Sequence, residues 1–139
     1  MSATDDRAPK QPADSTMSAI DERKAERLLL ALPLAYAFQR AGDRVVGDTE
    51  TTNLSGNGIQ FLIPKAVEIG TPCQLYLTLP EQTDALSFAG RVVWCHPARG
   101  AFVEACEVGV AFSLQECNRQ TFERYCHFIA TQLLMKYLP

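Results

Sequence analysis

The stretch LLLALPLAYAFQ, residues 28–39, alternates large and mostly small side chains along its whole length. A period of two predicts a β-strand with one buried face. Pro33 interrupts the run and cannot donate a hydrogen bond to a neighbouring strand, so it suggests a sheet edge or a bulge. The large side chains on the predicted buried face are Leu28, Leu30, Leu32, Leu34, Tyr36 and Phe38.

The rest of the first two thirds of the chain repeats this strand-like pattern between turn residues. AGD at 41–43 predicts a hairpin turn, and GNG at 56–58 predicts a second break. In residues 86–96 the alternation places Val92 and Trp94 on one face together with Leu86 and Phe88. Further strands are predicted in RVVGDTETTNLS (44–55), IQFLIP (59–64), CQLYLTLP (73–80), LSFAGRVVWCH (86–96) and EVGVAFS (107–113).

Six short strands with tight connections favour a mainly β fold, a six-stranded antiparallel (split) β-barrel over about residues 28–113. After the barrel, SLQE at 113–116 has the form of a capping box. Apolar residues then recur at helical spacing, which predicts a long C-terminal α-helix over about 115–138. This apolar stripe consists of Phe122, Tyr125, Cys126, Ile129, Leu133 and Tyr137, broadened by Phe128, Leu134, Met135 and Leu138.

The broad stripe has two interpretations. Apolar helix faces usually pack on a core, which favours packing against the barrel. A homodimer contact through the same helix is the alternative. Residues 1–20 have almost nothing to bury, so we expect a disordered arm ahead of a single domain at 21–138.

Composition limits the partners that this domain can have. The net charge of -3 and the pI near 5.3 argue against binding to a nucleic acid polymer, which requires many clustered cations. The five cysteines show no CxxC spacing, which indicates reduced thiols rather than a disulfide framework or a zinc site. No apolar run is long enough to insert into a membrane, and the beginning of the chain lacks a signal-peptide pattern. We therefore expect a cytoplasmic protein.

Two short motifs carry binding chemistry. Arg23 and Arg27 are four residues apart just ahead of the first strand, a spacing that is also common on a solvated helix face. Asn53, Ser55 and Gly58 form an N-x-S-x-x-G pattern, in which short polar side chains and glycines can present backbone N–H groups to an anion. The same residues are also ordinary for a tight hairpin.

Together these features resemble the PilZ domain family. The resemblance covers about residues 20–138 and rests on the R-x-x-x-R pair, the N-x-S-x-x-G motif, and the flanking segments GRVVWC and EVGVAFS in the same order. It implies a bacterial cyclic di-GMP receptor that has no catalysis of its own, whose first motif is mobile and joins the second when ligand binds.

The resemblance also implies roles for individual residues. Arg23 and Arg27 would hold phosphates and guanine edges, and Asn53 and Ser55 would donate or accept hydrogen bonds at a guanine or ribose-phosphate group. Gly58 would keep side chains away from the ligand. Weaker candidates are Lys24, Gly56 and Asn57. Many family members have a third arginine, associated with a stacked ligand dimer, at the position where this chain has Glu22.

Other functions have less support. His96 and His127 are the only histidines, and no GxSxG elbow, zinc spacing or complete phosphate loop is present, so we expect no enzyme activity, no metal and no cofactor. Two alternatives remain open. One is a nucleotide-independent adaptor of the same fold in pilus or flagellar machinery. The other is a small flavin-binding split barrel. In the receptor reading, the downstream protein partner would belong to a process such as motility or biofilm formation.

Overall fold

The computed structural model describes residues 27–98 and 105–136, in which six β-strands precede one α-helix. A short 3-10 turn at Leu114–Glu116 connects the last strand to the helix. The elements in chain order are β1 Pro33–Arg40, β2 Asp43–Ser55, β3 Gly58–Ile63, β4 Pro72–Leu77, β5 Leu86–Pro97, β6 Cys106–Phe112 and α1 Arg119–Lys136.

All six strands form one antiparallel barrel in the order β1-β2-β3-β6-β5-β4. Strand β1 pairs with both β2 and β4, which closes the barrel without a split. The prediction of a six-stranded antiparallel barrel followed by a C-terminal helix is therefore confirmed. The predicted arm at 1–20, residues 99–104 and the predicted helical residues beyond 136 lie outside the described residues.

The alternation in residues 28–39 predicts most of the observed burial, but Leu30 is only partly buried and the small Ala37 on the other face is buried as well. Leu28, Leu32, Leu34, Tyr36 and Phe38 are buried on the barrel side. The strand itself begins only at Pro33, and residues 28–32 form a separate segment that runs beside β2.

The edge or bulge suggested by Pro33 is wrong. In a closed barrel β1 has a neighbour on each side, and proline occupies the first strand position, where a missing N–H removes little. The predicted turn at 41–43 is confirmed, because Arg40 pairs with Asp43 across a two-residue turn. Its second residue, Gly42, has a positive φ of 84° that glycine adopts without strain.

The prediction that Val92 and Trp94 share one face is wrong. Val92 pairs with Val110, whereas Trp94 pairs with Gly109, so an extra residue is inserted into β5 at this point. Such a β-bulge reverses the alternation of inside and outside. Val92 is buried in the barrel, and the Trp94 ring instead lies over Gly109 on the outer surface.

Helix α1 packs on one end of the barrel, as the core interpretation of its stripe predicts. Tyr125 and Ile129 are buried, and Phe122, Cys126, Phe128 and Leu133 pack against the core from partly buried positions. The Tyr125 ring meets Phe88 and Phe112 at centroid distances of 5.1 and 5.3 Å. Leu134 and Met135, beyond this contact, are exposed.

The predicted capping box is wrong. Ser113 makes no side-chain cap hydrogen bond and precedes only the 3-10 turn. The helix is capped instead by Asn118, whose Oδ1 accepts from the Thr121 N–H at 3.1 Å. The helix therefore begins at Arg119, later than predicted. None of the described helical segments is both long and apolar enough to cross a membrane.

Candidate functional site

An open groove of about 230 Å³ crosses the outer surface of β2, β3, β6 and β5. Its floor follows one row of paired residues: Asn53 pairs with Gln60, Gln60 with Gly109, and Gly109 with Trp94. The groove is lined by Arg27, Asn53, Ser55, Asn57, Gly58, Ile59, Gln60, Val93, Trp94, Gly109, Val110 and Ala111.

The groove brings together most of the residues that the two motifs single out. Arg27 reaches it from the segment ahead of the barrel, and Asn53, Ser55, Asn57 and Gly58 surround its mouth near the end of β2 and the start of β3. Gly56 belongs to the same turn but does not line the groove. Arg23 and Lys24 lie outside the described residues.

Arg27 is positioned by the chain that follows it. Leu28 and Leu54 exchange backbone hydrogen bonds of 2.7 and 2.9 Å. Further along, the buried Thr51 hydroxyl accepts from the Leu32 N–H at 2.9 Å and donates to the Leu30 carbonyl at 2.6 Å. These bonds attach the segment 28–32 to β2. Arg27 itself is exposed and is not in a helix, so it does not belong to a solvated helix face.

The Arg27 guanidinium contacts the Gln60 side chain. The Gln60 amide is oriented so that its oxygen faces the guanidinium donors. In this orientation Oε1 accepts from Arg27 Nη1 at 2.5 Å and from Nη2 at 3.3 Å. The Gln60 amide nitrogen then lies 3.1 Å from the end of the Asn53 amide. A hydrogen bond between these two amides requires Asn53 to present its oxygen to Gln60.

Asn53 has an unsatisfied polar atom. Its Oδ1 position is fully buried and has no hydrogen-bond partner among the described residues. Turning the Asn53 amide toward Gln60 exchanges its oxygen and nitrogen and places a donor at this inner position. A buried polar atom without a partner costs about 1–3 kcal/mol.

The turn between β2 and β3 is braced from two sides. The Ser55 hydroxyl contacts Asn57 Oδ1 at 2.6 Å and the Gly58 carbonyl at 3.3 Å. From the helix, the Tyr125 hydroxyl donates to the Ser55 carbonyl at 2.6 Å. Burial raises the pKa of Tyr125, which keeps this phenol protonated and able to donate.

Gly58 is required by packing. A Cβ at this position would overlap the Val110 carbonyl oxygen of the neighbouring strand β6. The sequence reasoning predicted instead that this glycine keeps the ligand's approach free of side chains. Gly58 does line the groove, but close contact between two strands already explains the glycine.

Trp94 gives the groove an aromatic wall. Its ring lies over Gly109, where a Cβ would overlap the indole, and it stacks on His96 at a centroid distance of 5.1 Å and an angle of 18°. A partly exposed indole beside hydrogen-bonding groups can stack on a planar ring. The bulge in β5 is what turns this side chain outward.

The combined chemistry suits an anion that carries a planar base. Among the described residues that line the groove, Arg27 alone carries a formal charge, and the other polar groups are neutral amides and a hydroxyl. A guanidinium donates a planar fork to phosphate oxygens or to the guanine O6/N7 edge. Within residues 27–98 and 105–136 no group of three or more His, Cys, Asp or Glu side chains could hold a metal ion.

Sequence reasoning missed four residues of this site: Thr51, Gln60, Trp94 and Tyr125. Gln60 could have been found from its place two residues after Gly58, on the same strand face as the turn. Thr51 and Tyr125 act through contacts 19 and 70 residues away in sequence, which no local pattern reveals.

Comparisons with known proteins agree with this architecture. The sequence matches the family model of the PilZ domain over residues 21–128. No match was found among curated protein sequences.

Several solved structures have a similar fold. Bacillus subtilis inhibitor of motility (MotI/DgrA) has a TM-score of 0.63 and 16% identity, over 81% of this chain and 51% of that chain. The PilZ domain of CeSA from a cellulose synthesizing bacterium has a TM-score of 0.55 and 14% sequence identity, over 78% of this chain and 98% of that chain. Borreliella burgdorferi PlzA in complex with c-di-GMP has a TM-score of 0.58 and 6% sequence identity, over 88% of this chain and 57% of that chain. The chain thus spans about half of MotI/DgrA, and identities this low indicate fold alone.

Proposed function

Because this chain belongs to the PilZ domain family, we propose that it is a bacterial cyclic di-GMP receptor, a binding module that passes on a conformational change. One observation carries the proposal. Arg27 from the segment ahead of the barrel and the motif residues Asn53, Ser55 and Gly58 line one groove. Arg27 is the sole charge among the described lining residues. This is the arrangement that a small, locally held anion requires.

The proposed binding mode assigns a different task to each wall of the groove. Arg27 donates to a phosphate or to the O6/N7 edge of one guanine. Asn53 and Ser55 supply hydrogen bonds to a base or ribose edge. Trp94 stacks on a purine face.

Arg23 completes the site in this proposal, and Lys24 adds charge. The groove of about 230 Å³ is smaller than usual ligand pockets, which begin near roughly 300 Å³. A dinucleotide would therefore extend beyond it toward the chain ahead of Arg27. Closure of that segment over the ligand would move the N-terminal arm relative to the barrel, because a ligand shifts an equilibrium through contacts that it makes in one state only.

The moving segment is the proposed output, and a downstream protein partner is its receiver. We place this signalling in the bacterial cytoplasm, in the control of motility or biofilm formation. The exposed Leu134 and Met135 at the end of α1 are the surface through which a homodimer would form.

Calorimetric titration with cyclic di-GMP tests the proposal directly. We expect saturable binding by the wild type, little or no heat from GTP or cyclic di-AMP, and much weaker binding by Arg27→Ala and Ser55→Ala. Arg27→Ala should cost about 1.5–3 kcal/mol, the range of a charged hydrogen bond. Arg27→Lys should recover only part of this loss, because lysine has the charge without the fork.

Arg119→Ala is the matched control. It removes the same charge from a surface salt bridge with Glu123, in which the arginine side chain is 91% exposed. Its affinity should equal that of the wild type. Equal binding by wild type, Arg27→Ala and Ser55→Ala would refute the site. Absence of binding by the wild type would replace the receptor with the nucleotide-independent adaptor.

A further inference from the structure

We propose that Gln60 is a positioning residue that orients the Arg27 guanidinium for its ligand; this rests on the proposed function. Gln60 belongs to neither sequence motif. It pairs with Asn53 on one side and with Gly109 on the other, so its side chain stands in the middle of the groove floor. Its amide is the polar group that meets Arg27 among the described residues.

The contact uses one edge of the guanidinium. Gln60 Oε1 lies between Nη1 and Nη2, at 2.5 and 3.3 Å, and therefore occupies the end of the planar group. Among the described residues, no hydrogen bond is made to the side edge, formed by the Nε–H and the outer N–H of Nη2. That edge presents two parallel donors, the geometry that binds phosphate or the guanine O6/N7 pair.

A neutral amide suits this task better than a carboxylate. An amide oxygen accepts from the guanidinium and leaves its positive charge available to an anion. A glutamate would pair with Arg27 more strongly and would place a negative charge beside an anionic ligand. A leucine of similar length would leave the exposed arginine free to rotate, and binding would then have to order it.

The Gln60 amide also connects Arg27 to Asn53 across the groove. Gln60 contacts Arg27 with one end and approaches Asn53 within 3.1 Å with the other. Both predicted ligand contacts are therefore held by one intervening side chain. The inference predicts that Arg27 and Asn53 act as a coupled pair, with Gln60 as the connection.

The first test needs no ligand. Arginine side-chain ¹⁵N–¹H signals of the full-length protein report how freely the Arg27 guanidinium rotates. We expect a slowly rotating Arg27 in the wild type and in Gln74→Leu, and a freely rotating one in Gln60→Leu. Gln74 is the matched control, because it is an outer-face glutamine that bonds to Ser87 at 2.7 Å, away from this groove. An Arg27 signal that is the same in Gln60→Leu and wild type would overturn the proposal.

The second test is a double-mutant cycle by calorimetry with cyclic di-GMP. Gln60→Leu should weaken binding roughly tenfold, the size of one charged hydrogen bond, and Gln60→Glu should weaken it further. In an Arg27→Ala background, Gln60→Leu should have almost no additional effect, because its role acts through Arg27. The same tenfold loss in both backgrounds would overturn the proposal. No binding by the wild type would refute the receptor function, while the arginine signals still decide the role of Gln60.

Discussion

Replacing Tyr125 with phenylalanine tests whether the C-terminal helix supports the ligand-binding turn. The substitution removes one hydroxyl, and the ring can keep its contacts with Phe88 and Phe112. The hydroxyl donates to the Ser55 carbonyl at 2.6 Å from a side chain that has no exposed surface. Phenylalanine therefore removes the donor and leaves the partly buried Ser55 carbonyl without this partner.

The magnitude follows from this single bond. A typical hydrogen bond contributes about 0.5–1.5 kcal/mol, and an acceptor left unpaired costs about 1–3 kcal/mol. The Ser55 residue also takes part in strand pairing with Gly58, so a loss of about 1–2 kcal/mol is expected. In a domain of this size, where 1 kcal/mol corresponds to roughly 3–5 °C, that loss lowers the melting temperature by roughly 3–10 °C.

Urea denaturation followed by circular dichroism measures the stability loss, and calorimetry with cyclic di-GMP measures the effect on the site. We expect Tyr125→Phe to bind more weakly than the wild type, because the turn that carries Ser55 loses its brace. Tyr76→Phe is the control, since Tyr76 is on the outer surface and 38% exposed. A Tyr125→Phe variant as stable as Tyr76→Phe, with unchanged affinity, would refute the reasoning.

Thr51→Val should lower the unfolding free energy by about 1–3 kcal/mol and weaken ligand binding, because it releases the segment behind Arg27. Urea titration and calorimetry check this, with Thr49→Val as control, because the half-buried Thr49 hydroxyl bonds to the Leu62 carbonyl and not to that segment. Ile129→Asp should destabilise the monomer by about 3–5 kcal/mol, whereas a stable variant that only loses mass in light scattering would make α1 a subunit contact. Burial raises the pKa of the Cys73 thiol to about 12. In the unfolded chain the thiol deprotonates at a lower pH than in the folded protein. The unfolding free energy should therefore fall by about 1.4 kcal/mol per pH unit as pH rises from about 9 toward 12. In Cys73→Ala this slope should be smaller.

Local sequence predicted those parts of the site that have a motif. The N-x-S-x-x-G spacing located Asn53, Ser55 and Gly58 at a strand end, and all three line the groove with Arg27. The reason given for Gly58 was incomplete, because the Val110 carbonyl on β6 occupies the space of its Cβ. That contact joins residues about fifty positions apart, and a turn pattern carries no information about it.

Capping and edge signals failed for a similar reason. Ser113 and Glu116 have the spacing of a capping box, but the chain first makes a 3-10 turn against the barrel and the helix starts after Asn118. Pro33 resembles an edge residue in one strand considered alone. Closure of the barrel pairs that strand on both sides, and closure is a property of all six described strands together.

The alternation of large and small side chains was enough to determine the barrel and which face of most strands is buried, because burial of apolar surface acts on every second residue of a strand. The binding groove depended on two irregularities that this alternation conceals. Register shifts in β2, between Thr51 and Asn53, and in β5, between Val92 and Trp94, turn Asn53 and Trp94 to the outer surface while Thr51 and Val92 stay inside. An inserted residue changes which neighbour a side chain faces only when a partner strand is present, so the tertiary structure alone decided that these two residues meet across Gln60 and Gly109.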